Sequence, residues 1–215
     1  MRSLPFIAIV ALLFSCSPKK TLPVFNSSIV QRTLADGKPA TDSLGRVLFD
    51  TLYFRVPTFS LLNQDSVPVR ETRFDNHVSV VDFFFTSCPT ICPKMKQQMR
   101  RVHEHFAEDS RVQLFSFTID PRRDTVTKLK SFHAKLQLKN DRWQFITGPK
   151  DTLLMVSRAF MAPVLEDPRL PGGFDHSGKF VLVDKKGMFR GFYNGTTDTG
   201  TTRLIEDMEW LLDHE

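Results

Sequence analysis

Apolar residues recur along the chain at two different spacings. The segments 77–85 (HVSVVDFFF), 111–119 (RVQLFSFTI) and 143–147 (WQFIT) are nearly continuous apolar runs, rich in β-branched and aromatic residues. Such runs are typical of strands that are covered on both faces. Between them, 93–108 and 124–138 place apolar side chains three or four positions apart, which predicts amphipathic helices. The predicted helix stripes are Met95, Met99, Val102 and Phe106 in the first, and Val126, Leu129, Phe132 and Leu136 in the second.

The second half of the chain continues this alternation. Residues 151–160 predict a third helix, 179–194 two strands joined by a turn at 184–187, and 201–214 a closing helix. Gly187 suits the left-handed backbone of such a turn. Strands that alternate with helices predict a mainly parallel sheet with flanking helices. We therefore expect an α/β, thioredoxin-like fold with an inserted helix and a C-terminal β-hairpin followed by a helix.

The first fifty residues differ from the rest of the chain in their pattern of apolar and polar positions. Residues 1–15 combine Arg2 with a short apolar stretch and predict an export signal rather than a membrane span. Leu13-Phe14-Ser15-Cys16 resembles the lipobox of bacterial lipoproteins, in which the cysteine becomes the lipid-modified amino terminus. We predict a tether and extended lead-in over 16–50, with room for a hairpin, and a folded domain over 51–215.

Charge and composition narrow the class of protein. The net charge is +5 over 215 residues. Lys and Arg are interspersed with Asp and Glu and are not gathered into one long basic run. A nucleic-acid partner is therefore not indicated. The chain has three cysteines. If Cys16 carries lipid, two thiols remain for a domain outside the cytoplasm, where disulfides can form and persist.

Those two thiols, Cys88 and Cys92, lie in FFFTSCPTICPKM, between a predicted strand and a predicted helix. Pro93 suits the first turn of the helix, and the helix amino terminus favours a thiolate. A spacing of four places both sulfurs on one helical face. The pair could bind a soft metal, copper(I) or zinc, or act as a redox couple, or form a structural disulfide. The spacing alone leaves these alternatives open.

A third metal ligand is predicted at His176, in the stretch LPGGFDHSGKFVLVD. It follows a Gly-Gly pair and precedes a predicted central strand, in a loop that a thioredoxin-like sheet would place beside the first strand-to-helix turn. The neighbouring Asp175 could orient the imidazole. The other five histidines lie in predicted helices, before a strand or in the terminal tail.

Taken together, FFFTSCPTICPKM, FTIDPRRDT and DHSGKFVLVDKKG resemble the signature of the SCO/SenC family of copper-binding proteins over roughly residues 50–212. The resemblance implies a thioredoxin-fold metallochaperone, tethered to the periplasmic face of a membrane, that helps to deliver copper to cytochrome c oxidase. It implies Cys88, Cys92 and His176 as ligands of copper(I), with copper(II) left open. The acceptor would be the copper-bearing oxidase subunit or another copper protein.

The resemblance also leaves an alternative open. Some members of the family act as thiol–disulfide reductants, in which case Cys88 and Cys92 would be a catalytic redox pair with Cys88 as the attacking thiol. We favour the metallochaperone over the enzyme. In the DPRRDT stretch, Asp124 is expected to be the N-cap of the following helix and Pro121 to shape the preceding turn, with a role of Asp120 and Asp124 in docking a partner as the alternative.

Overall fold

The computed structural model describes residues 20–25, 27–167, 169–170, 172–175 and 177–215. Strands and helices alternate over residues 78–159, as the apolar pattern predicts, and consecutive strands precede and follow this part. They are β1 Ser27–Gln31, β2 Phe49–Tyr53, β3 Ser60–Asn63, β4 Pro68–Arg70, a 3-10 helix Glu71–Phe74, β5 Val78–Phe84, α1 Cys92–His105, β6 Val112–Thr118, α2 Val126–Leu136, β7 Trp143–Thr147, α3 Lys150–Ala159, β8 Leu165–Glu166, β9 Phe174–Asp175, β10 Lys179–Val183, β11 Phe189–Asn194 and α4 Asp198–His214.

Seven strands form the main sheet, in the order β11-β10-β5-β6-β7-β3-β4. The three central strands β5, β6 and β7 are parallel, and the strands on either side join them antiparallel. Every residue of β5, β6 and β7 is buried, as expected of strands with helices on both faces. The predicted thioredoxin-like α/β class is confirmed, with β10 and β11 as the predicted hairpin and α4 as the closing helix.

The predicted helix stripes face the sheet. In α1, Met95, Met99 and Val102 are fully buried, and in α2 Leu129 and Leu136 are buried. Burial of each such side chain contributes about 1.5–3 kcal/mol to folding. The two methionines are therefore core residues.

The lead-in forms a hairpin and a docked strap. Strands β1 and β2 pair with each other antiparallel, away from the main sheet. The strap, residues 20–25, packs on the domain: Arg190 donates hydrogen bonds to the carbonyls of Leu22 and Pro23 at 2.8 and 3.1 Å. No helix in the described part of the chain is long and apolar enough to cross a bilayer. The predicted export signal and Cys16 lie outside the described residues.

Candidate functional site

The two domain cysteines lie at the carboxyl end of central strand β5, where α/β sheets place their chemistry. Cys88 is in the turn that follows the strand, and Cys92 is the first residue of α1, with Pro93 in the first helical turn. Both are thiols and both are 8% exposed. Of the residues between them, Pro89 and Thr90 are exposed. We call the segment 86–91 the cysteine loop. Its exposed residues lie at the surface, whereas the two cysteine side chains are largely shielded from solvent.

The thiol of Cys88 is tuned toward the thiolate. Burial alone would raise the pKa of Cys88, but hydrogen bonds from the backbone of Cys92, from the Thr90 side chain and backbone, and from the Cys92 thiol outweigh it. The Thr90 hydroxyl lies 3.6 Å from the sulfur. These contacts stabilise the negative charge of the thiolate, so the pKa of Cys88 is lowered.

Cys92 has the opposite bias. Burial raises the pKa of Cys92 far above that of an ordinary thiol, against a hydrogen bond with the Phe85 backbone, and the neighbouring Cys88 and Asp82 raise it further. One sulfur is thus biased toward the thiolate and the other toward the protonated thiol. Such asymmetry suits either a redox pair or a metal site that takes up its second thiolate only when the metal arrives.

A buried acid that none of the motifs indicates lies beside the two cysteines. Asp82 is 4% exposed within β5 and accepts a hydrogen bond of 2.5 Å from Ser116, which in turn accepts one of 2.9 Å from the indole N–H of Trp143. Burial raises the pKa of Asp82 to about 7. A cavity of about 50 Å³ is lined by Asp82, Ser116 and both cysteines. A carboxylate inside the apolar run VVDFFF was the signal that could have revealed it.

Residue 176 lies outside the described residues, but the residues two positions before and after it lie close to the cysteine loop or its flanks. The ring of Phe174 lies 5.3 Å from that of Phe85, centroid to centroid. On the other side, a Cβ placed on Gly178 would lie 3.3 Å from the Ile91 side chain. Phe174 of the β8–β9 hairpin therefore lies beside Phe85, before the cysteines. Gly178, just before β10, lies beside Ile91, between them.

The prediction that Asp124, the second acid of DPRRDT, caps α2 is wrong. Thr125 is the N-cap of α2, accepting a hydrogen bond from Lys128 N, because Asp124 is turned inward. Asp124 is completely buried, and its carboxylate accepts hydrogen bonds from the N–H and hydroxyl of Thr86 and from the hydroxyl of Thr118. The turn after β6 is thereby tied to the first residue of the cysteine loop.

The described residues do not complete a metal site by themselves. Within the part of the chain that the structure describes, no three His, Cys, Asp or Glu side chains are grouped as metal ligands. Cys88 and Cys92 supply two adjacent soft donors, and a third donor from the described residues does not join them. The predicted third ligand, His176, lies outside the described residues.

Comparison with known proteins points to one family, SCO1/SenC. The family model SCO1/SenC matches residues 53–213. The SCO1 protein homolog of Bacillus subtilis is 32% identical over 168 residues, which cover 77% of this chain and 86% of that protein.

Two solved structures are similar as well. A SCO1/SenC family lipoprotein from Bacillus anthracis superposes with a TM-score of 0.68 at 30% identity, covering 75% of this chain and 96% of the other. BsSco, described as a member of the Sco family of cytochrome c oxidase assembly proteins with a disulfide switch, gives a TM-score of 0.65 at 30% identity, covering 76% and 96%.

Proposed function

Because the chain belongs to the SCO1/SenC family, we propose that it is a membrane-tethered metallochaperone that binds copper(I) through Cys88, Cys92 and His176. It would pass the ion to the copper-bearing subunit of cytochrome c oxidase or to another copper acceptor. The observation that carries the proposal is the contact of Phe174 with Phe85, together with the close approach of Ile91 to Gly178. Phe174 and Gly178 flank position 176 in the sequence, whereas Phe85 and Ile91 flank Cys88, and Cys92 directly follows Ile91.

The chemistry of the donors favours copper(I). Thiolate sulfur is a soft ligand and imidazole is an intermediate one, a set that suits copper(I) better than hard cations. Binding of the ion by two thiols releases their protons, and the lowered pKa of Cys88 makes the first of these easier to release than the proton of an ordinary thiol. The Cys92 proton is released only against the raised pKa of that thiol. Copper affinity should therefore increase with pH.

The same pair can gate release. If a disulfide takes two electrons from the copper-bound thiolate pair, a Cys88–Cys92 disulfide forms, and the two sulfurs of the oxidant leave as thiols with two protons from solvent. The disulfide sulfurs carry no thiolate charge and bind copper weakly, so oxidation expels the ion. The disulfide switch named for BsSco supports this redox step.

The proposal also includes the location. A lipid on Cys16 would anchor the chain, and the Bacillus anthracis relative is described as a lipoprotein. Lys20 pairs with Asp207 of α4 at 2.7 Å, and the strap that follows it is docked on the domain. Lys20 is only four positions after Cys16, a span of roughly 14 Å when fully extended. The domain would therefore sit close to the periplasmic face of the membrane.

Titration of the reduced full chain with copper(I), in competition with a chromogenic copper(I) chelator, tests the proposal. We expect one tightly bound ion, and loss of tight binding in Cys88→Ser, Cys92→Ser and His176→Ala. His105→Ala is the matched control, because His105 is an exposed histidine of α1 paired with Glu209. If the unchanged protein binds copper(I) no more tightly than a simple dithiol, the metallochaperone is excluded.

The opposed pKa values of the two cysteines favour one second candidate, a thiol–disulfide oxidoreductase. In that reaction the Cys88 thiolate attacks a substrate disulfide and Cys92 resolves the mixed disulfide, which leaves the substrate reduced and the pair oxidised. His176 distinguishes the candidates. Reduction of a model peptide disulfide at full rate by His176→Ala, together with weak copper binding by the unchanged protein, would favour the enzyme.

A further inference from the structure

The turn between β6 and α2 contacts both segments that carry the proposed copper ligands. Asp124 holds Thr86, at the start of the cysteine loop. One residue earlier, Arg123 donates a hydrogen bond of 3.4 Å to the carbonyl of Gly172, in the β8–β9 hairpin that precedes His176. The DPRRDT turn is therefore a common attachment point for two parts of the chain that are otherwise far apart in sequence.

A buried carboxylate fixes the position of Arg123. The Arg123 side chain is 56% exposed, whereas its ion-pair partner Asp120 is only 6% exposed. Asp120 is itself held in place because its backbone N–H donates to the Thr118 hydroxyl at 3.0 Å, and its carbonyl accepts from Asp124 N at 2.9 Å. One edge of the guanidinium pairs with this fixed carboxylate while a terminal nitrogen reaches the hairpin, a use of the planar fork that lysine cannot reproduce.

The hairpin has few other attachments among the described residues. Its own turn is closed by hydrogen bonds from Asp167 N to Gly173 O and from Gly173 N to Leu170 O. Toward the body it has the Phe174–Phe85 ring contact, the close approach of Gly172 to Phe85, and an ion pair between Lys150 and Glu166. Both partners of that ion pair are more than a third exposed, so it adds little. Arg123 provides the polar attachment that has a buried partner.

We propose that Arg123 is a positioning residue for copper binding: held by Asp120, it keeps the β8–β9 hairpin against the cysteine loop and so presents His176 to the two sulfurs. The inference rests on the proposed function, since it assigns the hairpin a role only if His176 is a ligand. Loss of Arg123 leaves the dithiol intact but lets the hairpin move away, so the contribution of His176 to copper affinity falls.

A double-mutant cycle tests this role. Copper(I) affinity of the reduced full chain is measured for the unchanged protein, Arg123→Gln, His176→Ala and the double variant. We expect Arg123→Gln to weaken binding about three- to tenfold when His176 is present, a coupling in the range observed for interacting sites. In the His176→Ala background, Arg123→Gln should have no effect. Arg122→Gln is the matched control, because Arg122 and Arg123 line one cavity between the turn and the hairpin, but Arg122 makes no hydrogen bond to the described part of the hairpin.

A second readout needs no metal. Amide hydrogen exchange of residues 165–175 in the reduced apo protein should be several-fold faster in Arg123→Gln and unchanged in Arg122→Gln. Arg123→Lys keeps a positive charge beside Asp120 and protects the fold, and we expect it to give an effect of the same sign that is smaller in size.

The outcomes separate the inference from the function on which it rests. If His176→Ala binds copper(I) as tightly as the unchanged protein, the proposed ligand set fails. If His176→Ala weakens binding but Arg123→Gln does so equally in both backgrounds, or leaves the exchange of the hairpin unchanged, the positioning role is overturned while the ligand set stands.

Discussion

The carboxylate of Asp124 accepts two hydrogen bonds from one residue, Thr86: one from the backbone N–H at 3.0 Å and one from the hydroxyl at 2.5 Å. Thr86 begins the loop that contains Cys88, and Asp124 lies 38 positions later, beside α2. Because the carboxylate is completely buried, it has no water to replace these donors. The position of the cysteine loop therefore depends on this carboxylate.

Replacement of Asp124 by Asn tests that dependence. The amide NH₂ cannot accept a hydrogen bond, so at least one of the three donors that now bond to the carboxylate loses its partner. We expect a loss of about 1–3 kcal/mol in the free energy of unfolding, measured with urea. Exchange of the backbone amides of the cysteine loop should also accelerate. Asp141→Asn, an exposed carboxylate, is the control and should change stability by no more than about 0.5 kcal/mol. Equal effects in the two variants would contradict the structural role.

The opposed tuning of the two thiols predicts an order of reaction. Because the pKa of Cys88 is lowered and that of Cys92 is raised, iodoacetamide should modify Cys88 first at pH 7–8. The rate of Cys88 labelling should increase with pH and reach half of its maximum below pH 9, the ordinary thiol value. Mass spectrometry after brief labelling at a series of pH values gives the order directly. Faster labelling of Cys92, or identical pH profiles for the two, would show that the assigned hydrogen bonds are wrong.

The buried Asp82 should make stability depend on pH. Its pKa is about 7 in the folded protein against 3.8 for an ordinary side chain, so the folded state holds a proton that the unfolded state releases. The stabilising contribution is complete below about pH 4 and is lost as the pH rises to about 7, at about 1.4 kcal/mol per pH unit.

Comparison with Asp82→Asn isolates this contribution, because all other titrating groups are shared. The stability of the unchanged protein relative to Asp82→Asn should fall from pH 4 to 7 and then stay level, measured by urea unfolding. A difference that is constant over that range would mean that Asp82 titrates normally in the folded protein.

Variants of two adjacent glycines in the β8–β9 hairpin distinguish the effect of backbone strain from the effect of close packing. Gly172 and Gly173 have φ values of +91° and +84°, so Ala at either position costs about 1–2 kcal/mol in backbone conformation. A Cβ on Gly172 would also lie 2.6 Å from the Phe85 ring, whereas one on Gly173 meets nothing within 4 Å.

We therefore expect Gly172→Ala to loosen the hairpin more than Gly173→Ala, by about 1–3 kcal/mol from the additional overlap. Amide exchange of residues 165–175 measures the difference, and the Gly173 variant serves as the matched control. Equal exchange in the two variants would mean that the hairpin does not pack on Phe85 in solution.

Much of the candidate site was predictable because its signals are local. The strand-to-helix position of Cys88 and Cys92 follows from an apolar run, a spacing of four and a proline, all within 77–93. The membership of the family follows from three short motifs in order. Whether the imidazole of His176 binds the metal with the two sulfurs stays a prediction, since residue 176 lies outside the described residues.

The roles of the DPRRDT turn were not predictable from the sequence. Asp124 is of a residue type and at a position typical of a helix N-cap. In the structure Thr125 caps the helix, and Asp124 accepts hydrogen bonds from the cysteine loop. Arg123 reaches a carbonyl 49 positions later, and nothing in its neighbours indicates that contact. Such hydrogen bonds depend on which strand ends share one edge of the sheet.

The sequence by itself determined the order of the strands and helices along the chain, the class of the fold and the location of the thiol pair, because periodicity and turn residues act over a few positions. Only the tertiary structure decided the places of β3, β4 and β10 in the main sheet, the tuning of each thiol, and the partners of Asp82, Arg123 and Asp124. Those properties arise from burial and from hydrogen bonds between distant segments. Their energies depend on distances that exist only once the sheet has assembled.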